Sequence, residues 1–259
     1  MSDDSQGTNS QESSNRQQSG LLGFLMRDKI SSVLWLTRIF TIFFTLMYFI
    51  PIIGGHPVQH YNKALLAAGA TSALRLHQRL PRIQFSREFA GRLFAEDSAH
   101  YLFFVLIFMS NSPFTMVLVP IFLFALLHSA KFTVDLMNQS GPNSMPLIRN
   151  LLTKLQAQQV SILRFIAVTE IFLMPLVVFM IFSGKAMIFL PFLYYRFLSL
   201  RYASVRNPYS KQLFYELRIT AERLVYDYRC PEFIRKFVHK FIAFVISRAP
   251  APSPAPTSN

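Results

Sequence analysis

Charge is scarce in this chain, and acidic charge scarcest of all. Asp, Glu, Lys and Arg make up 15% of its 259 residues, against roughly 25% in ordinary soluble domains. Only 13 residues are acidic, facing 26 Lys and Arg. Cysteine occurs once, as Cys230, which excludes an internal disulfide and leaves the redox compartment unmarked. The opening MSDDSQGTNSQESSNRQQSG has no basic start, apolar core or small-residue cleavage site, so a cleavable signal peptide is not expected. The closing APAPSPAPTSN carries no KDEL-like retrieval signal. No GxSxG, HExxH, P-loop or dinucleotide fingerprint occurs, and His128 and Asp135 are not spaced as an acyl-transfer motif. The sequence therefore shows no catalytic constellation and no cofactor or metal site, and it is read as non-enzymatic.

What fills the chain instead is hydrocarbon. Apolar residues account for 52% of it, and 27 residues are Phe. The basic surplus lies between long apolar stretches, not on polar faces. That pattern fits a membrane protein with cytosolic cations and argues against nucleic-acid binding. The expected fold is all-α: a multi-pass integral membrane protein with three full spans, short re-entrant or interfacial helices, and a C-terminal amphipathic helix. A polar, disordered tail over 1–24 precedes a helical membrane domain over 25–200. A basic region follows over 201–248, then a Pro/Ser-rich tail over 249–259.

Four apolar regions organise the membrane domain. Ser31–Ile53 is about 34 Å long as helix, enough to cross, with Trp35 and Tyr48 near its ends as interfacial aromatics. Ala64–Leu74 is too short to cross alone and rich in small residues, so it reads as a closely packed helix. Five arginines between Arg75 and Arg92 follow, expected to stay on the cytosolic side. Tyr101–Leu127 lacks formal charge; either a kinked span over Tyr101–Ile121 or a hairpin turning at Ser110–Pro113 is compatible with it, and the span is preferred. Phe165–Phe182 is about 27 Å of helix, just sufficient for a thin bilayer, whereas Ala186–Tyr195 is about half a membrane and reads as re-entrant or interfacial.

Glu170 is the charged residue inside Phe165–Phe182. An unpaired carboxylate there would cost a few kcal/mol or more. Arg164, six residues earlier, points to a different helical face, so the partner must come from another segment. Pro175 also leaves the Ile171 carbonyl without its helical donor. An intramembrane polar contact is preferred to a proton or ion site. Glu96, Asp97 and His100 could face one another, but lack the further ligands a metal needs; acids in a first turn favouring the helix dipole are the simpler reading.

The segment beginning at Pro231 places Phe233, Phe237, Phe241 and Phe244 on one stripe, with Arg235, Lys236 and Lys240 opposite. This is an amphipathic basic helix suited to the anionic cytosolic leaflet of a lipid bilayer, with a core-facing helix as the alternative. Putting the Arg-rich segment and this region both in the cytosol places the N-terminus in the lumen. Asn138, in an NQS acceptor triplet, then falls in a lumenal loop as a possible glycosylation site.

NKALLAAGATSALRLHQRLP, EDSAHYLFF, EIFLMPLVVFMIFSGK, PFLYYRFLSLRYASVRNPY and LFYELRI, in this order, closely resemble the transmembrane protein 33 family, including Krüppel homologue 2 and fungal pore-membrane relatives. The resemblance covers roughly 25–247. It implies a multi-pass protein of the endoplasmic reticulum membrane and nuclear envelope. Implied with it are roles in tubular reticulum organisation through reticulons, in nuclear-pore distribution with nucleoporins, in stress signalling with its sensors, and in calcium homeostasis. It carries no catalytic residues. Two rival readings are a channel or transporter coupled through Glu170 and a lipid-modifying enzyme.

Overall fold

The computed structural model describes residues 23, 26, 28–50, 54–80, 86–139, 145–204, 207–226 and 231–248. Most of both polar tails, together with Cys230, lies outside them. The ordered elements among these residues are helices: α1 (Lys29–Phe49), α2 (Pro57–Arg79), α3 (Arg87–Phe94), α4 (Asp97–Met109), α5 (Thr115–Gln139), α6 (Pro146–Ala157), α7 (Gln159–Phe182), α8 (Leu190–Ala203), α9 (Pro208–Tyr226) and α10 (Glu232–Arg248). Three of them, α1, α5 and α7, are long and apolar enough to cross a membrane. Two compact units are formed, one from Met1–Arg75 with Ile121–Ile162 and one from Leu76–Pro120 with Leu163–Asn259.

In the first unit, Asp28 caps α1 by accepting from the Ser31 amide at 3.1 Å. The outer face of α1 exposes Val33, Leu36, Phe40 and Phe43, while Thr41 and Thr45 turn inward. Their hydroxyls donate back to the carbonyls of Thr37 and Thr41, at 2.9 and 2.7 Å. Apolar groups outside and self-satisfied hydroxyls inside invert the soluble pattern and suit a lipid solvent. Gly54 and Gly55, with φ of 79° and 102°, turn the chain into α2. α2 returns antiparallel to α1: Tyr61 sits against Tyr48, His60 against Phe44, and the Thr71 hydroxyl donates to Thr37 at 2.9 Å. Ala64, Gly69 and Ser72 of α2 are buried small residues. α5 also runs antiparallel to α1. The Trp35 indole donates to the Thr133 hydroxyl at 3.0 Å, and Arg38 donates to the His128 carbonyl at 3.3 Å.

The second unit corrects one expectation. Tyr101–Ile121 is not a single span, because the helix stops at Met109 and resumes at Thr115. Asn111 Nδ2 donates to the Ile107 carbonyl at 2.7 Å and Ser110 Oγ to Leu106 at 3.2 Å, capping the last free carbonyls of α4. Pro113 then disfavours helical backbone at the residue before it. The crossing-length helix is the later one, α5, which continues to Gln139 with Pro120 inside it. α7 ends in a Schellman turn: Gly184, at φ 68°, donates to Ile181 at 2.9 Å and Lys185 donates to Met180 at 3.0 Å. The short piece expected at Ala186–Tyr195 starts at Leu190 and runs on to Ala203, carrying Arg201 into the fold while Arg196 stays exposed.

Candidate functional site: a buried ion-pair centre and a basic surface helix

Four aromatic rings build the interior of the second unit. Phe104 and Phe108 of α4 meet Tyr194 and Phe197 of α8, with Phe104 4.9 Å from both Phe108 and Phe197 by ring centroid. These rings bring α4 and α8 against α7 at Glu170. The carboxylate is fully buried, and Arg201 of α8, itself 1% exposed, donates Nε to its Oε2 at 3.0 Å. Tyr101 of α4 donates its hydroxyl to Oε1, and the Tyr194 hydroxyl donates to the Glu170 carbonyl at 2.7 Å. That carbonyl lies one residue before the one Pro175 releases.

Arg201 does more than neutralise one acid. Its Nη1 reaches Asp97 Oδ1 at 3.2 Å, and Ser204 Oγ donates to the same oxygen at 2.7 Å. Its guanidinium also lies over the Tyr101 ring, 5.1 Å from the centroid. A planar fork with several donors is what allows one side chain to join α4, α7 and α8. Three segments distant in sequence are thereby fixed to one another by charge-assisted bonds in a low-dielectric interior.

Of the other candidate residues, Glu96 separates to pair with Arg79 at 2.5 Å. Asp97 turns to Arg201 yet still faces His100 Nδ1 at 3.8 Å, while His100 Nε2 donates to the Phe94 carbonyl at 2.7 Å. Burial holds the His100 imidazole below its ordinary pKa, keeping it neutral near pH 7. Among the described residues no group of three His, Cys, Asp or Glu could hold a metal ion. Arg164 goes to Glu216 of α9, not to Glu170. That pair is half exposed, so Arg164→Gln should change thermal stability by less than about 1 kcal/mol, read as an unfolding midpoint shift of at most a few degrees.

Pro231 immediately precedes α10, and its carbonyl accepts from Ile234 and Arg235 at 3.0 and 3.1 Å. Phe233 is 73% exposed. Arg235 donates to the Val225 carbonyl of α9 at 3.2 Å and Lys236 pairs with Glu232 at 2.7 Å, while Lys240 is exposed. The side chains of Phe237, Phe241 and Phe244 lie outside the described part. Asn138 is exposed in the last turn of α5, and Ser140 of its triplet is outside the described residues.

Arg201 and Ser204 are the residues that sequence reasoning missed. The signal was present as arginines continuing an apolar segment, LPFLYYRFLSLRYA, without a polar break. A cation inside such a helix asks for a buried acid, and Glu170 was already asking for a cation.

Lipid-facing hydrocarbon, an interior closed by ion pairs and three crossing-length helices define an all-α, multi-pass membrane protein. The family model described as "Transmembrane protein 33/Nucleoporin POM33" matches residues 13–251, and the chain belongs to that family. It is 48% identical to human "Transmembrane protein 33" over 235 residues, covering 90% of this chain and 95% of that protein. To "Krueppel homolog 2" of Drosophila melanogaster it is 41% identical, covering 91% and 84%. To the Caenorhabditis elegans "Transmembrane protein 33 homolog" it is 38% identical, covering 90% and 86%. No solved structure matches.

Proposed function

We propose that this protein acts in the endoplasmic reticulum membrane and nuclear envelope by shape and lateral contact, without catalysing a reaction. It modulates tubular network organisation together with reticulons, and contributes to nuclear-pore organisation, stress signalling and calcium homeostasis through membrane partners. Family membership supports the compartment, since its relatives carry transmembrane and nucleoporin names. The observation that carries the mechanism is α10, a basic helix with Phe233 turned outward after a membrane domain. Such a helix inserts its apolar side among headgroups and widens one leaflet relative to the other. The basic C-terminal region faces the cytosol in this reading, where anionic lipid is found. The pairing of Glu170 with Arg201 supports a structural role for that acid in preference to ion coupling.

In cells depleted of the protein, the wild-type chain should restore tubular junctions and co-purify a reticulon. Phe233→Asp combined with Phe237→Asp should do neither while keeping normal abundance. Full restoration by that variant would refute the surface-helix mechanism.

A further inference from the structure

One amphipathic helix has no part in the function above. α6 carries Leu147, Ile148, Leu151, Leu152 and Leu155 within an arc of about 140° at 100° per residue. Asn150, Thr153, Gln156 and the two cations occupy the rest, and the helix has no acid. Lys154 is exposed at one border of the apolar arc, where a long cationic side chain can lay its stem on hydrocarbon and its charge in water, and Arg149 lies beyond Gln156 past the other border. One side of the apolar arc is turned outward: Leu147 is 84% exposed, Leu151 69% and Ile148 45%, while Leu152 and Leu155 are half-buried. α6 lies between two crossing-length helices, α5 ending at Gln139 and α7 starting at Gln159. A bilayer surface is therefore always within its reach.

The first unit also indicates which surface. Trp35 beside Thr133 and Arg38 beside His128 place the C-terminal end of α5 at the N-terminal end of α1. Thr71 beside Thr37 places the C-terminal end of α2 at that same end. Arg38 and Arg75 lie near each other there, with Lys29 at the start of α1. The opposite end of the α1–α2 hairpin carries His56, His60 and Lys63. Because α1 and α2 go out and back, the start of α1 and Arg75 of α2 share one side. Cation excess marks that side as cytosolic.

We propose that α6 is a second interfacial helix, lying in the anionic headgroup layer of the cytosolic leaflet on the side of the α1 N-terminus and Arg75. Asn138 is then cytosolic and carries no glycan, and the N-terminus is cytosolic, contrary to the topology expected from the spans alone. This does not depend on the role of α10.

Two readings of the full-length protein test it, with Cys230→Ser as background. Single cysteines at Leu151, Ile148 and Thr153 would be labelled with an environment-sensitive fluorophore and reconstituted in phosphatidylcholine vesicles containing phosphatidylserine. The Leu151 and Ile148 probes should be blue-shifted and quenched several-fold more by a headgroup-depth lipid quencher than the Thr153 probe. The contrast should shrink when phosphatidylserine is omitted. In sealed microsomes, Asn138→Cys and Thr153→Cys should react with an impermeant maleimide without detergent, and the wild-type chain should be insensitive to endoglycosidase. Water-like emission at both apolar positions would overturn the interfacial placement. Labelling only after permeabilisation, or an endoglycosidase-sensitive glycan, would overturn the leaflet.

Discussion

Arg201→Met should lower the thermal unfolding midpoint of the detergent-purified protein more than any other single change at the centre. Removing the guanidinium leaves Glu170 and part of Asp97 facing an apolar interior without a counter-charge. Breaking a buried pair from one side costs about 3–5 kcal/mol, since the remaining charge keeps its desolvation penalty. Combining Arg201→Met with Glu170→Leu should recover much of that loss, because it removes both charges and fills the space with hydrocarbon. Glu170→Gln should sit between the two: an amide oxygen can still accept from Tyr101, and Arg201 retains Asp97. Equal midpoints for the single and double variants would show that charge pairing is not what the centre contributes.

The second large effect is expected from the aromatic interior, and it discriminates packing from lipid exposure. Phe104 is fully buried among Phe108, Tyr194 and Phe197, with Tyr101 a further neighbour. Phe104→Ala should open a cavity between α4 and α8 and cost about 3–5 kcal/mol, the range for buried Phe truncation. Phe179→Ala removes the same atoms from the exposed face of α7. There the ring is surrounded by lipid chains as apolar as the protein interior, so little is lost. Thermal unfolding in one detergent should separate the two variants clearly. Similar losses for both would mean that the outer face of α7 is packed against protein.

Much of the fold was legible because hydrocarbon length and charge scarcity act locally. Ser31–Ile53 and Phe165–Phe182 anticipated α1 and α7 to within a few residues at most ends, and the small-residue run at Ala64–Leu74 sits inside packed α2. The broken region between Tyr101 and Leu127 was not legible, since an uncharged run is equally compatible with one helix and two. Asn111 settled it: its amide caps α4 at Ile107 while its Oδ1 accepts from the Met187 amide at 3.3 Å. That second bond joins turns 76 residues apart, which no local pattern contains.

Composition and periodicity alone determined that this is an all-helical membrane protein with a basic surplus, because the cost of exposing or burying a residue depends on its own chemistry. Family resemblance was equally readable along the chain. Only the tertiary structure decided what neutralises Glu170. Two carboxylates, one guanidinium and two phenols from α4, α7 and α8 have no fixed spacing in sequence. Their pairing depends on how the helices fold back on each other, and in a buried interior each charge is stable only where that folding supplies its counterpart.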